Sequence, residues 1–314
     1  MCNAVLVIAV FAPGQGSQTP GMFSPWLELP GVSERLAEWS ELAGLDLVRL
    51  GTTADADEIK DTAVTQPLIV ALGALVADQL ELGAAADIVV AGHSVGELTA
   101  AAVAGALAPA DAVAFAARRG AEMAAACALT PTGMSALLGG EADEVVAGIE
   151  ALGLVPANRN GAGQIVAAGA LDALDKLAAE PPAGARVRPL QVAGAFHTQY
   201  MEPAEDALRS YAAELSASDP HSTLLSNADG AAVRGGAELL ERLVAQVTLP
   251  VRWDLCLQTC RELDVTAAIE LAPAGTLTGI AKRELRGVEL LAIKSPDDLD
   301  KARALSTRRG TEDA

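Results

Sequence analysis

Ser94 stands in a setting that suits a nucleophile. It occupies the third position of the pentapeptide GHSVG at 92–96, which follows the apolar run 88–91 and precedes a long alanine-rich run. A serine on a sharp turn between a strand and a helix exposes its hydroxyl, and the helix start beside it offers free backbone N–H groups. The alternative is a tight turn in which Ser94 merely caps the helix. The pentapeptide alone leaves both interpretations open, because G-x-S-x-G also occurs by chance.

A serine nucleophile needs a base within hydrogen-bond reach, and the sequence contains three histidines. His93 directly precedes Ser94, and adjacent side chains diverge on a sharp turn. His221 lies in the polar segment SDPHST, which indicates a solvent-exposed side chain. His197 lies where a small domain is predicted to rejoin the larger one, and such junctions commonly form clefts. A lone histidine is more often structural than catalytic, but His197 is the best candidate for the base.

The stretch PGQGSQ at 13–18 is rich in glycine but does not match a nucleotide-binding motif. G-x-G-x-x-G would need glycine at the position of Thr19, and no Gly-Lys pair occurs that could complete a phosphate-binding loop. A tight loop after the first strand can instead direct a backbone N–H at a developing oxyanion, since glycine neighbours allow close approach. The other possibility is an ordinary loop between a strand and a helix.

Two arginines, Arg118 and Arg119, lie on a predicted helix about 25 residues after Ser94. Helical arginines are usually solvated. The surrounding segment is nearly all apolar, so a partly buried arginine here would need an anion as its partner. A substrate carboxylate is one such anion, and a guanidinium can bind it through two parallel hydrogen bonds.

Strand, loop and helix patterns alternate from residue 4 to about 127 and predict an α/β fold. Residues 4–11 are predicted as a buried strand and not as a signal peptide, because no basic residue precedes them and no cleavage pattern follows. Apolar residues at three- and four-residue spacing predict a helix at 61–80, and 87–91 is a second buried strand. A helical region at 106–128 is broken at Pro109. Continuous apolar strands between helices indicate a parallel sheet covered on both faces.

The pattern changes near residue 130 and predicts an inserted small domain. Its segments follow the order β-α-β-β-α-β, which is that of the ferredoxin-like unit. The chain then returns to the main body, with two helices and two strands predicted at 201–217, 237–247, 222–227 and 266–271. From Pro296 the sequence is charged and poor in apolar residues, which favours a flexible tail. The predicted organisation is a catalytic body at 1–129 and 195–295, the insert at 130–194 and the tail at 296–314.

Composition excludes some classes of function. Of the 314 residues 51% are hydrophobic and only 3% aromatic, so a sizeable core of small aliphatic side chains can form. The net charge of −19 repels phosphate backbones and argues against nucleic-acid binding. No predicted segment points to a membrane, since the apolar N-terminal run is far too short to span one. Four cysteines without a C-x-x-C pair indicate reduced thiols in a cytoplasmic protein.

Seven short motifs occur in an order that resembles malonyl-CoA:acyl carrier protein transacylases, the acyltransferases of fatty acid synthesis. They are GQGSQ at 14–18, TQP at 65–67, GHSVGE at 92–97, RG..M at 119–123, N.N at 158–160, AFH at 195–197 and LAPAGTLTGIAKR at 271–283. Each motif is weak, but the ordered set is highly specific and covers about residues 5 to 295. The family is also related to the acyltransferase domains of polyketide synthases. The resemblance implies an α/β-hydrolase-like body with a ferredoxin-like insert.

The resemblance also implies roles for individual residues. Ser94 matches the family's nucleophile and His197 its general base, and the backbone carbonyl of Gln246 takes the place of a catalytic aspartate. The backbone N–H groups of Gln15 and Val95 would bind the oxyanion, and Arg119 would bind the malonyl carboxylate. The remaining matches, with less certain roles, are Asn160 and Gln66. Phe196 stands where many relatives have serine, and AFH with GHSVGE resembles the malonyl-selecting form of polyketide acyltransferases.

The implied reaction is a ping-pong transfer of malonyl from malonyl-CoA to the phosphopantetheine thiol of acyl carrier protein, through a malonyl-serine. It needs no metal or organic cofactor, and members of the family are commonly monomers. Carrier proteins are typically acidic, which requires a local basic surface on this acidic chain. The candidates for it are Arg186, Arg188, Lys282, Arg283 and Arg286, and Arg186 is also a candidate for binding the CoA phosphates. A merely solvated face is the alternative.

Two other classes of function are weighed against this one. A lipase- or thioesterase-like hydrolase orders its triad Ser…Asp…His with a late histidine, whereas His197 lies in mid-chain and Arg119 would have no task. A carrier-binding scaffold without catalysis would not need the Ser94, His197 and Arg119 set. Whether the carrier belongs to fatty acid or polyketide synthesis is left open by the sequence.

Overall fold

Two sheets organise the chain, one parallel and one antiparallel. The structure is a computed structural model, and it describes residues 7–82 and 88–306. Within these residues the strands are β1 (Val7–Ala12), β2 (Ile88–Gly92), β3 (Thr132–Gly139), β4 (Val155–Gly161), β5 (Gln164–Ala170), β6 (Ala185–Pro189), β7 (Thr223–Leu225), β8 (Val265–Glu270) and β9 (Glu289–Ala292). The first six helices are α1 (Val32–Ala43), α2 (Leu47–Thr52), α3 (Ala56–Ile59), α4 (Thr62–Gln79), α5 (Gly96–Val103) and α6 (Pro109–Cys127). They are followed by α7 (Ala142–Ala151), α8 (Leu171–Ala179), α9 (Glu202–Ala212), α10 (Gly236–Ala245), α11 (Trp253–Glu262), α12 (Thr276–Glu284) and α13 (Leu299–Ser306).

The parallel sheet has the strand order β7-β2-β1-β8-β9. Every neighbouring pair in it is parallel. Its central strand β1 is an apolar run without alternation, as expected for a strand covered on both faces. Ile8 and Val10 join the core that contains α4 and α6, whereas Ala9 and Phe11 join the core that contains α11 and α12. The predicted α/β class with a parallel sheet is confirmed.

Helix α4 is long and apolar enough to cross a membrane by length and composition alone. Of its most apolar window, however, 78% is buried inside the protein. It packs along α6, the helix that begins at Pro109 with proline in its first turn. These two helices form the wall of the main body from which Gln66 and Arg119 project.

Residues 132–189 form the smaller, antiparallel sheet with two helices on one face. The predicted order β-α-β-β-α-β is found, and the strands lie in the order β4-β5-β3-β6. Leu137 and the apolar faces of α7 and α8 enclose a separate core on the far side of this sheet. The near side faces the main body, and Val251 joins the two parts through backbone hydrogen bonds to residues 157 and 159 of β4.

The predicted flexible tail is wrong for residues 296–306. A short 3-10 turn at Pro296–Asp298, closed by a Ser295–Asp298 capping box, leads into α13. Leu299, Ala302 and Leu305 repeat at three-residue spacing and are buried in the main core. This apolar face holds the helix on the body although the segment is mostly polar. Residues 307–314 lie outside the described residues, as do residues 4–6 of the predicted first strand.

Candidate active site

The GHSVG pentapeptide forms a sharp elbow at the carboxyl end of the parallel sheet. Strand β2 ends at Gly92 and helix α5 begins at Gly96, so the chain reverses within three residues. A side chain on Gly92 would overlap the backbone of Gly96, and one on Gly96 would overlap the carbonyl of Ala12. Ser94 at the apex has a φ of +54°, in the left-handed region that non-glycine residues rarely adopt. Its side-chain hydroxyl accepts from no backbone N–H of α5 and instead contacts side chains outside the elbow, so the helix-cap alternative fails.

Ser94 and His197 face each other across the domain junction. The Ser94 Oγ lies 2.9 Å from His197 Nε2, and His197 Nδ1 lies 2.9 Å from the backbone oxygen of Gln246. Since a carbonyl can only accept, Nδ1 carries the proton and Nε2 is left as an acceptor for the serine hydroxyl. Burial and the nearby charge of Arg119 lower the pKa of His197 to about 3. The ring is therefore neutral near neutral pH, which is the form that can take a proton.

Arg119 is a buried cation in the same site. It is only 3% exposed, and no ion pair among the described residues includes it. Its guanidinium donates to Gln66 Oε1 at 2.8 Å and to Gln246 Oε1 at 3.3 Å, and it approaches Ser94 Oγ to 3.4 Å. Burial lowers the pKa of Arg119 to about 10, so the side chain stays charged at neutral pH. A buried charge held by neutral side chains is a ready site for an anion.

A cavity of about 250 Å³ lies between the two sheets and contains these groups. The main body contributes the loop after β1, the elbow, and one side of α12. The small sheet contributes the opposite wall. Lining residues predicted from the sequence are Gln15, Gln66, Ser94, Arg119, Asn160, Phe196 and His197. The two sheets with their helices thus enclose one cavity, at the junction where His197 was expected.

The two predicted oxyanion donors are placed at the elbow and the first loop. Neither the Gln15 N–H nor the Val95 N–H has a hydrogen-bond partner in the part of the chain that is described. Val95 is the N-cap residue of α5, so its N–H belongs to the electropositive helix start. The Gln15 side chain donates to Thr62 Oγ1 at 3.3 Å, which anchors the loop on α4.

His93 is a cavity residue that the sequence analysis did not assign. Its ring does diverge from Ser94, but it lines the same cavity. His93 Nε2 lies 2.8 Å from Asn160 Oδ1, and its ring stands 5.7 Å from that of Trp253. Burial lowers its pKa, so it does not add a second positive charge beside Arg119. His221 is exposed, as predicted.

Asn227 was not identified from the sequence either. It follows β7 and is fully buried. Its side chain hydrogen-bonds the backbone of Gly92 and Ser94, and its own N–H donates to Glu97 Oε1 at 2.7 Å. The available signal was its position, since a polar residue directly after a parallel strand lies at the edge where sites form.

The predicted basic residues of the small sheet lie beside the cavity. Arg186 and Arg188 on β6 are opposite Leu138 and Ala136 of β3. Opposed residues of an antiparallel pair project from the same face, and Ala136 lines the cavity. Both arginines are exposed, so they extend that face outward toward the solvent.

Three further predicted basic residues lie at the end of α12. Lys282 and Arg283 are exposed on the last turn of α12, and Arg286 is exposed just after it. Leu277 and Ile280 of the same helix line the cavity. Exposed basic side chains therefore occur on β6, which pairs with the cavity-lining strand β3, and on or just after α12, another face of which lines the cavity.

Comparison with known proteins identifies the family of the chain. The family model described as acyl transferase domain matches residues 10–309. A malonyl CoA-acyl carrier protein transacylase from Mycobacterium tuberculosis is 61% identical over 297 residues, which are 94% of this chain and 98% of that protein. The crystal structure of MCAT from Mycobacterium tuberculosis has a TM-score of 0.92 at 60% identity and covers 96% of this chain and 100% of that one.

One of the similar solved structures contains an acyl-carrier protein bound to the enzyme. A malonyl-transacylase in complex with its type II PKS acyl-carrier protein has a TM-score of 0.87 at 28% identity. The match covers 95% of this chain and 99% of that one. Fold, site and family match define an acyltransferase. The chain belongs to the malonyl CoA-acyl carrier protein transacylase family.

Proposed function

We propose that this protein transfers the malonyl group of malonyl-CoA to the phosphopantetheine thiol of acyl carrier protein, through a malonyl-Ser94 intermediate. The observation that carries the proposal is the placement of a Ser–His pair and a buried arginine, which has no ion-pair partner among the described residues, in one cavity. The first arrangement performs acyl transfer, and the second selects an acyl group that bears a carboxylate. The names of the similar proteins support both the donor and the acceptor.

In the first half of the reaction His197 Nε2 takes the proton of Ser94, and Oγ attacks the thioester carbonyl. The N–H groups of Gln15 and Val95 stabilise the oxyanion, for which one such donor typically contributes about 3–4 kcal/mol. The C–S bond then breaks, and the CoA sulfur receives the proton from His197. In the second half the carrier thiol gives its proton to His197 and its sulfur attacks the ester carbonyl. The bond between the acyl carbon and Ser94 Oγ then breaks, and His197 returns the proton to Oγ.

The malonyl carboxylate has a second effect through Arg119. The charge of Arg119 is one cause of the low pKa of His197. A carboxylate bound to the guanidinium offsets that charge, so the substrate makes the imidazolium of the attack step easier to form. An acyl group without a carboxylate leaves the charge in place. Gln66 and Gln246 hold the guanidinium in the required orientation.

The proposal is tested by intact-mass measurement in two steps. Mixing the protein with malonyl-CoA should add the mass of one malonyl group to it, and adding holo carrier protein should move that mass to the carrier. Equal discharge of the malonyl group in water alone would identify a hydrolase instead. Absence of any adduct, with carrier protein still bound, would identify a scaffold. Carriers from fatty acid and polyketide synthesis, compared in the second step, determine which one the protein serves.

Phe196→Ser should raise the ratio of methylmalonyl to malonyl transfer. Phe196 is buried, adjoins His197 and lines the cavity, so its ring limits the space beside the malonyl α-carbon. An extra methyl in a packed site costs roughly 1–3 kcal/mol, which the smaller side chain removes. Competitive transfer from a mixture of both CoA esters, read by mass, measures the ratio. Phe196→Leu, which keeps an apolar wall, is the control, and an unchanged ratio in the serine variant would make Phe196 a core residue only.

Reversing the charges of Arg186 and Arg188 should weaken carrier docking. The double Glu variant loses two attractive pairs with an acidic carrier and adds repulsion, so the half-saturating carrier concentration should rise about tenfold at low salt. The discharge of preformed malonyl-enzyme by carrier measures this separately from CoA binding. Lys176→Glu on α8, on the far face of the same sheet, is the control for a charge reversal away from β6. Equal effects of both variants would contradict a docking role for β6.

A further inference from the structure

Asn227 connects the loop after β7 to both sides of the elbow. Its Nδ2 donates to the backbone oxygen of Gly92 at 2.7 Å, and its Oδ1 accepts from the backbone N–H of Ser94 at 2.7 Å. A carbonyl only accepts and an N–H only donates, so the two bonds fix which end of the carboxamide is which. The side chain is fully buried, where no solvent competes for these bonds.

The carboxamide of Asn227 takes the place of the backbone hydrogen bonds that β7, having ended, no longer offers to β2. The register of β2 with β7 ends at the pair Ala91 and Leu225. Beyond it β2 continues to Gly92 and turns into the elbow, while β7 has ended. On the other side the N–H of His93 still pairs with Ala12 of β1. On the β7 side, Asn227 therefore provides the hydrogen-bond partners of the Gly92 oxygen and the Ser94 N–H, which flank the turn at His93.

Asn227 is itself held by the helix that the elbow starts. Its backbone N–H donates to Oε1 of Glu97, which lies buried in the first turn of α5. Its Nδ2 also lies 3.7 Å from the sulfur of Cys256 on α11. The elbow, the first turn of α5 and the loop after β7 thus form one hydrogen-bonded unit. A displacement of the carboxamide would rotate the peptide groups before and after His93.

We propose that Asn227 is a positioning residue, which orients the Ser94 hydroxyl and the following Val95 N–H through its two side-chain bonds to the elbow backbone. It touches neither substrate nor the reacting atoms. This inference rests on the proposed function of Ser94, since it assigns a support to that nucleophile. The left-handed φ of Ser94 makes such a support necessary, because nothing in a serine favours that conformation.

The test measures acylation of Asn227→Ala by malonyl-CoA, by rapid-quench intact mass beside the wild type. We expect the maximal acylation rate to fall about 10²-fold, while the half-saturating malonyl-CoA concentration changes less than about threefold, since Arg119 and the cavity are retained. Cys256→Ala is the control, because it removes a buried neighbour of Asn227 and lowers stability. It keeps both hydrogen bonds from the Asn227 side chain to the elbow, so the acylation rate should not change. Equal losses in both variants, or a wild-type rate in Asn227→Ala, would overturn the proposal.

Asn227→Asp provides a test that does not depend on the alanine variant folding. An ionised carboxylate cannot donate to Gly92, whereas a protonated one has the same donor and acceptor as the amide. The groups around it are Glu97 and Cys256, with Arg119 and Arg242 acting on Glu97 at longer range. Buried carboxyls titrate well above their usual range, so the acylation rate relative to wild type should rise severalfold from about pH 9 to about pH 6. A ratio that does not change with pH overturns the proposal. Failure of the wild type to acylate in the same experiment would instead reject the proposed function.

Discussion

Ser94→Ala should take up no malonyl group from malonyl-CoA and transfer none to carrier protein. The hydroxyl is the group that His197 can deprotonate, at 2.9 Å, and alanine leaves nothing to form the ester. Removing the nucleophile of a serine enzyme typically costs about 10⁶-fold in rate. Intact mass after mixing with malonyl-CoA gives the adduct directly, and transfer to the carrier is followed in the same sample.

Ser17→Ala is the control for that substitution. Its hydroxyl lines the same cavity but is bonded to the backbone of Gly14, so the variant should still form one malonyl adduct. An adduct that persists in Ser94→Ala, mapped to another residue, would show that the acyl group is carried elsewhere.

Arg119→Ala should lose malonyl transfer and largely keep whatever transfer occurs from acetyl-CoA. A buried carboxylate without its partner costs on the order of 2–5 kcal/mol, so the malonyl rate should fall by roughly 10²-fold or more. Acetyl has no carboxylate to leave unpaired. The rate of acetyl transfer should also gain in this variant, because the positive charge that lowers the pKa of His197 is removed. The measurement is kcat/KM for both CoA esters in each variant.

Arg118→Ala is the matched control, because it is the neighbouring arginine on α6. Its side chain is 48% exposed and paired with Glu122 at 2.8 Å, outside the cavity. Both esters should react with this variant as with the wild type. An equal loss of malonyl and acetyl transfer in Arg119→Ala would make Arg119 a structural residue that holds Gln66 and Gln246, and would reject its role in selecting the substrate.

The parts of the site that could be predicted are those that short segments define. The elbow is contained in five residues, and its glycines are required by contacts within and beside the turn. His197 followed by elimination among three histidines and from its place at a domain junction. The apolar segment around Arg119 indicated a buried charge, and the structure places it 3% exposed. In each case the deciding property belongs to the residue and its immediate neighbours.

The parts that could not be predicted depend on residues far apart in the chain. Asn227 bonds the elbow across more than 130 positions, and the side chain of Gln246 reaches Arg119 across 127. No periodicity or spacing encodes such pairs. For Gln246, the resemblance implied the carbonyl that holds His197 but not the amide that holds Arg119. The helix α13 was hidden for another reason, since its three buried residues alternate with charged ones and become an apolar face only against the body.

The backbone conformation of the Ser–His pair has a consequence for selection. Ser94 and His197 both have positive φ, at +54° and +61°, and each such residue costs about 1 kcal/mol or more relative to glycine. The rest of the fold supplies that energy and keeps the two side chains within hydrogen-bond distance of each other. A population evolved in the laboratory for heat resistance alone, without a demand for turnover, would therefore drift from serine toward glycine at position 94. If serine were instead retained at position 94 in a thermostabilised variant, we would conclude that selection had acted on the transfer reaction as well as on stability.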